Sequence, residues 1–282
     1  MQQRLISAAV LVPIVLVVFL VGQPWLTLGL AVVAGLAASE AARLLRAAGL
    51  PVERVLVIAV PAIAVLGMGW GGAPEGAAIT LVAAVIVIAG MAAFREPEVR
   101  DGFLAWAGTS FGALYVSLLA FAAGILSIAP AVPVDAPLHG VLSAGQVWLL
   151  VLLVTVWSFD SFAYLAGRTF KRGRFLNHIS PNKTWSGVIG GTVAAIIVGG
   201  VLTWAAGGGP LGGLVLGFVI AVTAQSGDVA ESMLKRAAGA KDSGTLIPGH
   251  GGVLDRIDSF LFAAPAVFGY LVIVSHIGTT VS

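Results

Sequence analysis

Nine apolar runs, each near the roughly 20 residues that cross a ~30 Å hydrocarbon core as a helix, follow one another along this 282-residue chain. They lie at about 5–22, 25–46, 52–70, 76–94, 103–127, 146–167, 185–206, 211–237 and 254–277, separated by Pro, Gly and charge clusters. Only 10% of the residues are charged, against roughly 25% in a soluble domain. A transmembrane barrel would alternate apolar and polar residues in segments of about 10, and no such alternation is present. The expected fold is all-α: a polytopic integral membrane protein with about nine transmembrane helices. The first run, LISAAVLVPIVLVVFLVG, follows Arg4 but lacks a small-x-small cleavage site, so it reads as a retained helix.

Charge placement gives the expected orientation. With nine spans, all 15 Lys and Arg fall at connections on one face. The opposite connections carry Glu75, Asp135 and His139. The positive-inside rule makes the basic face cytoplasmic, with the N-terminus inside and the C-terminus outside. A net charge of +2 gives no footprint for nucleic acid, and the absence of Cys excludes thiolate chemistry and disulfides.

Ionisable groups inside membrane spans usually line a polar cavity, and three places qualify. Asp160 lies about two turns before the cytoplasmic end of the sixth span. Asp228 and Glu231 lie in the inner half of the eighth, and Asp255 and Asp258 open the ninth. Asp228, Ser232 and Lys235 follow i, i+4, i+7 and share a helix face, while Asp255 and Asp258 share another at i, i+3. Carboxylates gathered at similar depth would repel one another without a cation, and an oxygen-only set suits Mg²⁺. The plainer alternative is an interfacial charge cluster at a helix start, where the dipole favours acids. Glu40, near the end of the second span, reads as a partner of Arg43 or a snorkelling side chain.

Two basic connections adjoin these carboxylates. The stretch KRAAGAKDSGTLIPGHGGVLDRID, residues 235–258, holds 7 of the chain's 28 charged residues. Its glycines could turn backbone N–H groups onto an anion beside Lys235, Arg236 and Lys241. Equally, they could permit a tight re-entry while the basic residues hold lipid headgroups. The other connection, GRTFKRGRFLNHISPNKTWSG, carries Arg168 and Lys183. In it, Ser180 is the expected N-cap and Pro181 the expected first residue of the next helix. His178 reads as an interfacial bystander.

The run SMLKRAAGAKDSGTLIPGHGGVLDRID, residues 232–258, resembles the hallmark of the phosphatidate cytidylyltransferases, the CDP-diacylglycerol synthases. That pattern is SxxKR, four residues, KD, then a PxHGGxxDRxD ending. FDSFAYLAGR, SPNKTWSGVIGG and a QxGDxxES element are similar to further family segments. In the second of these, Asn182 and Ser186 replace the usual Lys and Glu. The resemblance is strong over roughly 155–260 and only architectural before it.

The resemblance implies transfer of CMP from CTP to phosphatidate, giving CDP-diacylglycerol and pyrophosphate in phospholipid biosynthesis, with Mg²⁺ and room for a second, monovalent cation. Residues 1–145 would be scaffold helices with dimer contacts; residues 146–282 would be the catalytic region, with cytoplasmic loops 168–184 and 236–254. Catalytic roles would fall to Asp228, Asp255, Asp258, Lys235 and Arg256. The metal would be drawn from Asp228, Asp255, Asp258, Asp160 and Glu231. Phosphates would meet Lys183, Ser180, Arg168, Ser232, Arg236, Lys241, Asp242, His250, Gly251 and Gly252. The expected location is the cell (inner) membrane, with the active site facing the cytoplasm. A homodimer is implied, although GVIGG and GGLVLG could equally serve close packing within one subunit. The rivals are a CTP-dependent enzyme acting on another lipid phosphate, a polyprenol or phytol kinase, and an ion transporter.

Overall fold

The structure, a computed structural model, describes residues 2–70 and 74–281, without the side chains of 2–6, 8, 74–79 and 277–281. Arg4 and Glu75 of the charge argument therefore lie outside the described side chains. The described residues form ten α-helices: α1 (Gln2–Val21), α2 (Trp25–Ala47), α3 (Arg54–Trp70), α4 (Pro74–Ala93), α5 (Val99–Ser117), α6 (Ala120–Ile128), α7 (Ala144–Phe170), α8 (Trp185–Ala205), α9 (Pro210–Ala237) and α10 (Leu254–Val281). Among the described residues six stretches are long and apolar enough to cross a membrane, Val99–Ile128 counting as one. Ala9–Val21, Arg54–Trp70 and Thr80–Ala93 are shorter apolar helices.

The fifth expected run is broken at Leu118–Leu119, with no Pro or Gly at the break. Ser117 Oγ donates back to the Ala113 carbonyl at 2.7 Å, a bond that bends helices. The chain then tightens into i→i+3 bonds, from Leu119 N to Val116 O and from Ala122 N to Leu119 O.

Three helices stop by one device. Ala-Ala-Gly closes α2, α8 and α9, with Gly49, Gly207 and Gly239 at φ 85°, 87° and 66°. In each, the residue after the glycine donates to a carbonyl five residues back: Leu50 to Leu45, Gly208 to Thr203, Ala240 to Lys235. This is the Schellman arrangement, and it needs the left-handed conformation that glycine adopts without penalty.

The chain divides into two compact units: Met1–Ser127 with Met233–Ile257, and Ile128–Ser232 with Asp258–Ser282. In the first, α2 packs on α3 and α5. The face of α2 is built from small residues, and Ala34, Ala37, Ala38 and Ala41 are fully buried. In the second, α7 and α8 pack along their length. A Cβ on Gly191 would come 2.7 Å from the Phe159 carbonyl oxygen, and one on Gly217 would meet the backbone at Ala195 and Ile196. GVIGG and GGLVLG are thus both engaged within the chain, bringing α8 against α7 and α9 against α8.

Candidate functional site

In the first unit, Asp255 is the hub. It lies in the first turn of α10, where a carboxylate is favoured by the helix dipole. Lys235 Nζ donates to its Oδ1 at 2.6 Å, and the two side chains are 12% and 8% exposed. Its Oδ2 accepts from Ser243 N at 2.8 Å, Ser243 Oγ at 2.9 Å and Gly252 N at 2.8 Å. The motif thus folds back on itself: the end of α9, the loop and the start of α10 meet on one carboxylate. Both oxygens are engaged, and Oδ1 keeps a second acceptor position beyond the lysine.

Glu40 enters this arrangement from α2. It is 1% exposed, too deep to snorkel, and its contact with Arg43 is long, at 3.8 Å. Its Oε2 instead accepts from Ser243 Oγ and from Leu254 N, both at 2.9 Å. A Cβ on Gly252 would overlap both Ser243 Oγ and Glu40 Oε2, so the residue there has to be glycine. Gly251 stands at φ 84°.

The other motif residues hold the loop's shape. Arg256 donates through Nε and Nη2 to the His250 carbonyl, at 3.1 and 2.6 Å. His250 Nδ1 lies 2.8 Å from Ser7 Oγ of α1. Arg236 donates to the Ala240 carbonyl at 2.9 Å, over the end of α9. Lys241 and Asp242 are exposed.

The second unit carries a separate cluster. Lys183 Nζ pairs with Asp228 Oδ2 at 2.5 Å, the side chains 17% and 36% exposed. Asp160 of α7 lies in the electrostatic field of both. Ser232, one turn beyond Asp228, makes only a 3.5 Å contact with its Oδ1, so that oxygen is nearly uncommitted. Glu231 is fully buried. Asp258 Oδ1 accepts from the N–H of Ser259 at 2.7 Å, and Arg168 donates to the Tyr164 hydroxyl at 3.0 Å.

Ser180 is not the cap of α8. Thr184 is: its side chain accepts from Gly187 N, at 3.1 Å. Pro181 falls in the preceding turn, which closes from Lys183 N to Ser180 O. The helix starts later because Gly187 is pressed against the Ala163 carbonyl of α7, and that contact sets where the first turn can lie. Ser186, in place of the family's glutamate, accepts from Arg172 N at 3.3 Å and lies 3.1 Å from Thr184 Oγ1.

The expected residues therefore assemble as Lys235 with Asp255, and as Lys183 with Asp228 and Asp160. Among the described residues no group of three acidic or histidine side chains forms a ready-made metal cage. Sequence reasoning missed Glu40, Ser243 and Thr184. For Glu40 a signal existed: GGVLD has no Ser, Thr, Asn or Asp before Leu254, so the orphan N–H groups of α10 had to find a distant acceptor.

The sequence model of the Cytidylyltransferase family matches residues 2–274. The "Phosphatidate cytidylyltransferase" of Brucella abortus is 46% identical over 126 residues, covering 44% of this chain and 46% of the relative. That of Haemophilus influenzae is 40% identical over 157 residues, 54% and 53% of the two chains. "Phosphatidate cytidylyltransferase 4, chloroplastic" of Arabidopsis thaliana is 41% identical over 142 residues, 46% of this chain and 36% of the relative. The chain spans about half the length of the curated relatives it matches.

Proposed function

The chain belongs to the cytidylyltransferase family, and from that premise we propose that it is a CTP:phosphatidate cytidylyltransferase of the cell (inner) membrane, working at the cytoplasmic face. The observation that carries the reading is the Lys235–Asp255–Ser243–Gly252 constellation, in which the separated parts of one motif converge on a single carboxylate.

In the reaction, a phosphate oxygen of phosphatidate forms a bond to the α-phosphorus of CTP. The bond from that phosphorus to the bridging oxygen of the β-phosphate breaks, and pyrophosphate leaves. The lipid phosphate is already ionised, so no side chain need remove a proton. Lys235, with Arg236, Lys241 and Arg256 on the same stretch, supplies positive charge to the phosphates. Lys183 does so from its own loop. Asp255 fixes the Lys235 ammonium, and its hydrogen bonds to Ser243 and Gly252 keep the glycine-rich loop closed on the start of α10.

The donor chemistry fits Mg²⁺. Asp228 keeps one nearly uncommitted oxygen, and Asp160 lies within its electrostatic reach. Asp228 and Asp160 would hold the ion, with Asp258 and Glu231 of the same unit as the further donors that the resemblance implies. When bound, the ion neutralises charge that builds on the phosphate oxygens and the leaving pyrophosphate.

The test uses purified protein in detergent with phosphatidate and CTP labelled in its α-phosphate. The label is expected to enter the lipid phase with Mg²⁺, to stop with EDTA, and to be lost in Asp255→Asn. Absence of labelling from folded protein would overturn the reading. A preference for another lipid phosphate would reassign the acceptor.

A further inference from the structure

The N-terminal helices read as scaffold, yet they place a buried carboxylate against the motif loop. We propose that Glu40 is a positioning residue for CMP transfer, acting from α2 as the remote N-cap of α10 and as the anchor of Ser243. The proposal rests on the cytidylyltransferase reading for its kinetic part only.

Three observations converge. First, Leu254 N–H is the leading donor of α10, is fully buried, and bonds to Glu40 rather than to any side chain of its own turn. Second, Ser243 Oγ stands 2.9 Å from Glu40 Oε2 and 2.9 Å from Asp255 Oδ2, and its one hydrogen serves one carboxylate at a time. Ser243 therefore links the two acids, and Asp255 in turn fixes Lys235. Third, a Cβ at Gly244 or Gly252 would run into the Glu40 carboxylate, so the loop is moulded around it. Among the described residues Glu40 Oε1 has no hydrogen-bond partner and only the long, 3.8 Å contact with Arg43 Nη2. A buried carboxylate with one oxygen so weakly compensated costs more to bury than the apolar residue that a scaffold would place there. That cost has a return only if the oxygen facing the loop is needed.

Reacting groups displaced by about 1 Å lose up to ~100-fold in rate. Glu40→Ala and Ser243→Ala should therefore each lower kcat by about 10- to 100-fold, with KM for phosphatidate changed less than about twofold. Because both act through the same atoms, the double variant should fall no further than the worse single one, within about threefold. Glu40→Gln keeps a carbonyl acceptor for Leu254 N–H and Ser243 Oγ, and should restore at least about a third of the wild-type kcat. Arg43→Gln, at a largely exposed side chain, should leave kcat unchanged. Amide exchange at Ser243 and Leu254 should accelerate in Glu40→Ala and stay near wild type in Glu40→Gln.

Wild-type kcat in Glu40→Ala, or losses that multiply in the double variant, would overturn the proposal. If Glu40→Ala does not accumulate, Ser243→Ala decides: wild-type kcat there overturns it, and a loss spared in Glu40→Gln supports it. If the wild-type protein transfers no CMP to any lipid phosphate, the cytidylyltransferase reading fails on its own. The exchange experiment then still judges the anchor: faster exchange at Leu254 in Glu40→Ala supports it, and unchanged exchange overturns it.

Discussion

Removing either partner of the Lys235–Asp255 pair should damage stability and activity together, whereas removing both should separate them. The ion pair is 2.6 Å long, with both side chains mostly covered. Truncating one member of a buried pair costs about 3–5 kcal/mol, because a charge is left uncompensated. Lys235→Met is the milder case. Asp255 would keep two backbone N–H donors and Ser243 Oγ on Oδ2, and each retained bond to a charged group is worth about 1.5–3 kcal/mol. Asp255→Asn is the harsher one: its amide can present an oxygen to those donors only by turning its NH₂ toward the Lys235 ammonium. The double variant Lys235→Met/Asp255→Asn contains neither buried charge. It should regain about 1–3 kcal/mol of the summed losses as a coupling term. Denaturant unfolding in a fixed detergent gives the four stabilities, and label transfer from CTP to phosphatidate gives the four rates. The expected result is a double variant more stable than Asp255→Asn and still inactive. Additive stability losses would refute the claim that the pair is one unit. Wild-type turnover in the double variant would remove it from the reaction.

Other outcomes follow from the same geometry. Gly252→Ala inserts a methyl group where Ser243 Oγ and Glu40 Oε2 stand; it should cost about 1–3 kcal/mol and most of the CMP transfer, read by the same two assays. Lys183→Met leaves Asp228 without its ion-pair partner; the expected effect is a KM for CTP raised about tenfold or more, checked by steady-state kinetics with varied CTP. Gly217→Val drives a branched side chain into the α8 backbone at Ala195 and Ile196, and the yield of folded protein on size exclusion in detergent should collapse. Thr184→Ala removes the cap of α8 and should cost about 0.5–2 kcal/mol, measured by denaturant unfolding.

The helices were legible because an apolar run long enough to span a bilayer has few other ways to satisfy its backbone. Helix ends were less so. The break at Leu118–Leu119 has no Pro or Gly to announce it and lies in a mostly apolar stretch, and the Ser117 back-bond found there also occurs at Thr192 and Thr223 inside unbroken helices. Ser180-Pro181 has the composition of a helix start, but the start is set by where Gly187 meets α7, a tertiary contact. In the site, Lys235 and Asp255 were legible because a dense local motif carries both. Glu40 was not, since an acid three residues before Arg43 reads as an ordinary helical ion pair. Its burial comes from the alanine face around it, and besides the long Arg43 contact its hydrogen-bond partners lie 203 and 214 residues away in sequence.

The glycine wedged between Ser243 and Glu40 also constrains how such a chain can evolve. Positions 40, 243 and 252 form an epistatic set. A side chain arriving at 252 first meets both the Ser243 hydroxyl and the Glu40 carboxylate, and losing only one of them leaves the other in the way. Mutational paths through this corner should therefore run in one order, with positions 40 and 243 changing before position 252, and chains that have lost both the acid and the serine should be those that tolerate alanine in place of the glycine.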